Sequence, residues 1–287
     1  MDTLGAAGDQ LAALDLRWAL VALALQLANL GFRALAWRNI LTAAYPHERI
    51  RLLDVGGAYA AGVALNAYTP ARSGEALKVA LLRLRIRGSS LTGVAASSSV
   101  VLLFDALVGC TLLGLAWALG IVPALPRPST ELVVGVVAVG ALIATLTWRA
   151  PRLRARLQEG TAILRTPRRY LHTVVPAQLG AWACRVGVAF ALLASFGLPA
   201  TLPLAGLVVV AGGMSTLVPA TPGGVGTQQV LIVLVLQHTA TAASALSFSI
   251  GMQVGVTLVN TLVGLVGMAL VLRTLRPAAM RAAVRGA

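Results

Sequence analysis

Thr69-Pro70-Ala71-Arg72-Ser73-Gly74-Glu75 and, later in the chain, Thr221-Pro222-Gly223-Gly224-Val225-Gly226 decide how this sequence folds. Both have the form Thr-Pro-x-x-x-Gly. Pro lacks an amide donor and clashes with the preceding helical turn, and Gly tolerates positive φ, so both stretches predict a helix break. Each break sits between apolar runs too short to be comfortable separate membrane crossings. Broken backbone at membrane depth is tolerated only where it packs in protein or lines a wet cavity. Breaks at matching places in two halves of a chain are the best sequence pointer to a transporter's binding site.

The surroundings place these breaks in a bilayer. The chain has 287 residues, 58% hydrophobic and 11% charged, where a soluble domain carries about 25% charge. A net charge of +14 raises nucleic acid as a partner. The arginines instead gather at the ends of apolar runs, the positive-inside pattern, which argues against nucleic acid. Cys110 and Cys184 fall inside apolar runs, and His47, His172 and His238 are isolated, so neither a disulfide framework nor a metal site is expected. No cofactor is expected either. The first residues carry Asp2, Asp9 and Asp15 and no base before Arg17, unlike a signal peptide, so the first apolar segment is expected to be retained.

Five full crossings are predicted: 16–41, 91–119, 131–148, 171–196 and 242–272. The first ends in Phe32-Arg33-Ala34-Leu35-Ala36-Trp37-Arg38, which suits a cytoplasmic end. Residues 52–70 and 76–84 flank the first break, and both outer ends are basic, so this element reads as a re-entrant hairpin from the cytoplasm. Residues 204–218 and 230–236 flank the second break. No Lys, Arg, Asp or Glu occurs between Arg185 and Arg273, so that hairpin reads as entering from outside. The chain then divides into a repeat unit (16–119), a connecting span (131–148), a basic cytoplasmic segment (149–170), an inverted unit (171–272) and a basic tail (273–287). The fold class is an all-α polytopic membrane protein built as an inverted repeat, with the N-terminus outside and the C-terminus in the cytoplasm. The rival count makes every apolar run a crossing, up to nine. In the segment 149–170, Arg149, Arg152 and Arg156 fall at helical spacing beside Leu153 and Leu157. That pattern fits a helix lying on an anionic leaflet, or a plain topology signal.

Charges inside a bilayer cost about 2.5–3.5 kcal/mol each on insertion scales, so those kept there need a reason. Arg72 and Glu75 sit in the first break, Asn66 and Tyr68 just before it, and Asp105 and Arg185 in predicted spans. One reading has Arg72 and Arg185 attract a phosphate or other anionic head group through their planar forks. Helix N-termini after Gly74 and Gly226 would aim amides into the same cavity. Glu75 and Asp105 would balance the arginines or take up a proton that drives exchange. The other reading is internal pairing: Arg72 with Glu75 or Asp105, and Arg185 with another acid. No nucleophile, base and orienter set or phosphate loop appears, so no enzyme activity is expected.

At these motifs the chain resembles the transmembrane domain of lysylphosphatidylglycerol synthases and its stand-alone relatives, flippase-like membrane proteins. The carrying residues are the run Phe32 to Arg38, the run Asn66 to Glu75 with Asp105 downstream, and Val218-Pro219-Ala220-Thr221-Pro222-Gly223-Gly224-Val225-Gly226. The resemblance implies movement of a lipid, often with a charged head group, between the leaflets of the cell membrane. Synthase activity is not expected, because the soluble catalytic domain of those synthases has no counterpart in these residues. Where the family carries a Glu after Pro-Gly-Gly-x-Gly, this chain has Gln229, and Phe104 stands where a basic residue often precedes the mid-span Asp. The alternative is a non-transporting membrane partner that binds lipid and scaffolds a separate synthase or glycosyltransferase. An ion or small-solute channel is a third.

Overall fold

The structure, a computed structural model, describes residues 14–69, 73–118, 151–215 and 224–274. Within them the chain is helical, without strands. The long apolar runs become α1 (Leu16–Ala44), α4 (Leu91–Ala118), α7 (Val175–Ser195) and α10 (Ala242–Thr274). These elements, with α7 extended back to Pro167, are long and apolar enough to cross a membrane. The connecting span at 131–148 lies outside the described residues. Between the long helices stand α2 (Leu52–Tyr68) and α3 (Ser73–Arg85), flanking the first break. The second break separates α8 (Leu202–Ser215) from α9 (Thr227–Leu236). These four have 17, 13, 14 and 10 residues, short of the ~20 a straight crossing takes. In the basic segment α5 (Pro151–Gly160) and α6 (Pro167–Thr173) flank a turn of 3₁₀-helix at Ala162–Arg165.

Small residues set the packing, as they must where lipid removes the hydrophobic drive between helices. α1 and α7 run antiparallel along their whole length. The Asp15 amide donates to the Ser195 carbonyl at 3.1 Å, Leu25 sits on Gly187, Phe32 on Gly180, and Asn39 Nδ2 donates to the Thr173 carbonyl at 2.8 Å. α2 and α3 fold back on each other. Asp54 and Arg85 join their outer ends at 2.5 Å. Nearer the break the arms almost touch: a Cβ on Gly74 would collide with the Gly62 carbonyl oxygen.

The last helix collects both halves. The Thr261-to-Val271 stretch of α10 meets α2, antiparallel: Gly267 on Gly57, Gly264 on Ala60, and Thr261 Oγ1 2.9 Å from the Tyr68 hydroxyl. Its earlier stretch meets α9, where Gln229 Nε2 donates to Gln253 Oε1. Two apolar clusters result. One holds Trp37, Ile40, Leu41, Val55, Leu82, Ile163 and Val271. The other holds Leu193, Ala205, Val208, Ile232, Leu236 and Phe248.

At the Arg-rich end, α5 lies along α4 where Gly160 crosses Gly93 with no room for a Cβ. Leu153 and Leu157 are half-buried, while Arg154 and Arg156 are exposed. Burial beside Glu159 pushes the Tyr45 phenol up to about 12.

Candidate functional site

The polar residues of the interior stand at the seam between the two apolar clusters. On α4, Val100 and Val101 belong to the first cluster, Phe104 and Val108 pack on the second, and Asp105 falls between. On α10, Met252 belongs to the second cluster, Met268 packs on the first, and Gln253, Asn260 and Thr261 come between them. α1 presents Gln26, Asn29 and Arg33 to the same region, all buried.

Two ion pairs are built there. Arg33 forks onto Asp105: Nη1 donates to Oδ2, and Nη2 to Oδ1 at 3.1 Å. Trp182 Nε1 donates to the same Oδ1 at 2.9 Å. Lys78, 5% exposed, sits 2.6 Å from Glu75 Oε2, which also accepts from Ser98 Oγ at 3.3 Å. The Lys78 ammonium also lies 5.0 Å from the Trp37 ring centre and 5.1 Å from that of Tyr59, a cation–π pair of contacts. Trp37 is fixed in turn by its indole N–H on Ser97 Oγ at 2.9 Å. The Tyr59 hydroxyl faces the Arg33 guanidinium, so one aromatic side chain touches both ion pairs. Beside them Gln26 Nε2 donates to Asn260 Oδ1 at 2.8 Å, joining α1 to α10.

Arg185 is different. Its guanidinium stacks 4.9 Å above the Trp182 ring and is half-buried. Among the described residues no carboxylate lies within 4 Å of it and no hydrogen bond holds it. Among the described residues this region therefore carries three cations, Arg33, Lys78 and Arg185, against two carboxylates, Glu75 and Asp105. Both carboxylates are already engaged.

This geometry amends several expectations. Glu75 is paired with Lys78 and Asp105 with Arg33, while Arg185 has no carboxylate within 4 Å among the described residues. Arg33, read as a marker of the membrane end, points into the bundle. The helix after the first break starts at Ser73, and the Gly74 amide is not free: Asn66 Oδ1 accepts from it at 2.8 Å. The Gly226 amide, at φ 88°, is likewise taken by Gln229 Oε1 at 2.6 Å. Asn66 thus caps α3 across the first break, and Gln229 caps the start of its own helix, α9. Thr69 Oγ1 donates to the Leu65 carbonyl at 2.7 Å and receives Ser73 Oγ at 2.5 Å, tying across the first break. Gly224, at φ 73°, packs on Ser215 and brings the ends of α8 and α9 together. Pro70, Arg72, Thr221, Pro222 and Gly223 lie outside the described residues.

Sequence reasoning missed Lys78, Tyr59, Trp182 and the Gln26–Asn260 bridge. One signal was present: Gln26, Asn29 and Arg33, at i, i+3 and i+7, put three polar groups on one face of an apolar helix.

Residues 4–264 match the family model described as the lysylphosphatidylglycerol synthase TM region. No curated protein and no solved structure matches the chain.

Proposed function

Because the chain belongs to the lysylphosphatidylglycerol synthase TM-region family, we propose that this multi-pass membrane protein moves an anionic lipid, or a lipid-linked anionic head group, between the leaflets of the cell membrane. The observation that carries the reading is the Arg185 guanidinium, stacked on Trp182 and, among the described residues, without a carboxylate within 4 Å. A cation held at membrane depth without an ion-pair partner is costly, and a passing phosphate would satisfy it. The Arg33–Asp105 and Lys78–Glu75 pairs then serve as the fixed wall of the path, neutral in sum. Arg72 adds a further cation at the first break.

The contacts of α10 support two re-entrant hairpins of opposite sense. From the first pair α2 lies along one half of this 33-residue helix, and from the second pair α9 reaches it in the other. Their break-side residues meet α10 at Thr261 and Gln253, eight positions and about 12 Å apart, astride its midpoint. With the Arg-rich end in the cytoplasm and the N-terminus outside, the α2–α3 hairpin opens inward and the α8–α9 hairpin outward. The two units then form an inverted repeat whose breaks frame the path at mid-depth.

The test is exchange of a head-group-labelled anionic phospholipid in liposomes containing the purified protein. The proposal expects exchange above protein-free liposomes and a loss of at least about tenfold in Arg185→Gln, the scale of one charge-assisted bond. No exchange by the wild type would favour the lipid-binding scaffold for a separate synthase or glycosyltransferase. Equal exchange by both would remove Arg185 from the path.

A further inference from the structure

Where α1 ends and the chain turns into α2, a depression of about 580 Å³ opens at the Arg-rich end of the bundle. It is lined by Arg38, Thr42, Glu48, Arg49, Ile50 and Arg51. Three arginines and one glutamate are thus among its lining residues. The depression is held in shape: Arg38 Nε donates to the Ile50 carbonyl at 3.0 Å, which ties the loop back onto α1, and Thr42 Oγ1 donates to the Asn39 carbonyl at 2.9 Å. Arg49 and Arg51 are exposed around the depression.

The rim separates a lipid from a soluble anion. Directly after Arg51 come Leu52 and Leu53, 43% and 67% exposed. A hollow lined by three arginines and bordered by exposed leucines is amphipathic, with head-group chemistry on one side and acyl-chain chemistry on the other. Its size falls within the range of small-molecule sites, about 300–1,000 Å³. Arginine forks match phosphate oxygens in pairs. We propose that this hollow binds the phosphate of an anionic phospholipid in the adjoining leaflet, with Leu52 and Leu53 set among its acyl chains. The site is separate from the interior cluster and does not depend on Arg185 or on lipid exchange.

The test uses the full chain in detergent and native mass spectrometry, titrated with phosphatidylglycerol and, in parallel, phosphatidylcholine. Arg49→Gln/Arg51→Gln is compared with Arg83→Gln/Arg87→Gln, a pair of exposed arginines outside the hollow that removes the same charge. The expected result is tighter binding of the first phosphatidylglycerol than of phosphatidylcholine, weakened at least about tenfold in the first variant and under about twofold in the second. The single variants Arg49→Gln and Arg51→Gln, each expected to weaken binding about threefold, replace the double variant should it not purify. Equal losses in the two double variants would reduce the hollow to part of a general basic surface and overturn the assignment. So would equal binding of the two lipids, or displacement of phosphatidylglycerol by equimolar inorganic phosphate, which would mark a site for soluble anions.

Discussion

Replacing Asp105 with Asn removes one negative charge and nothing else of consequence in volume, so its effect can be worked from the contacts. Asp105 accepts both Arg33 nitrogens and the Trp182 indole N–H. Removing one partner of a buried ion pair costs about 3–5 kcal/mol, because the other charge is left uncompensated. The Asp105 side chain is 19% exposed against 9% for Arg33, so water screens part of this and the lower end applies, about 3 kcal/mol. Asn retains one acceptor oxygen and keeps the Trp182 bond, about 1 kcal/mol that is not lost. Arg33→Gln should cost a similar amount for the mirrored reason. The double variant Arg33→Gln/Asp105→Asn leaves two neutral amides that can bond each other, so it should be more stable than the sum of the singles by about 2 kcal/mol. Unfolding of the detergent-solubilised protein, followed by tryptophan fluorescence, measures all three. Singles that add to the double within about 0.5 kcal/mol would show that the two side chains do not interact, and the reasoning would fail.

Gly74→Ala should destabilise by at least about 2 kcal/mol, since its Cβ would meet the Gly62 carbonyl oxygen, whereas Gly109→Ala, with nothing within 4 Å, should not; the same unfolding assay compares them. Asn66→Ala should lose about 1 kcal/mol through the uncapped Gly74 amide, and Asn66→Asp, which keeps the acceptor, should lose less in a parallel melt. Lys78→Met should lower the thermal midpoint by leaving Glu75 with only Ser98, and adding Glu75→Gln should recover most of the loss. Gly267→Ala should loosen α10 from α2, read as faster proteolysis in the 267–274 stretch than in wild type, because its Cβ would lie 2.8 Å from Gly57 Cα.

The long helices were legible because a bilayer demands uninterrupted apolar runs, and α1, α4 and α10 begin and end within three residues of the runs that predicted them. The first break was legible because Thr69-Pro70 stops a helix whatever surrounds it. The partners were not. Arg33 stands one turn from Trp37 and Arg38, and a base beside an aromatic at the end of an apolar run reads as an interfacial anchor. Only the tertiary contact with Asp105, 72 positions away, turns it inward. Lys78 was hidden for another reason. It sits in a short helix with four other bases within nine positions, so its burial follows from where α3 lies against Trp37 and Tyr59, not from its neighbours in sequence. The capping role of Asn66 was equally invisible, because it accepts from Gly74 across a break whose two ends meet only in the folded chain, whereas Gln229 caps Gly226 within its own helix start.

The account rests on the two hairpins opening toward opposite sides of the membrane, and thiol accessibility measures that directly. In a background with Cys110 and Cys184 replaced, Arg87→Cys places a thiol at the outer end of the α2–α3 hairpin and His238→Cys one just beyond α9, both at exposed positions. A membrane-impermeant maleimide added to intact cells should label position 238 and leave position 87 unlabelled until the membrane is opened. Labelling of both positions in intact cells, or of neither, would place both hairpin mouths on one side and contradict the account.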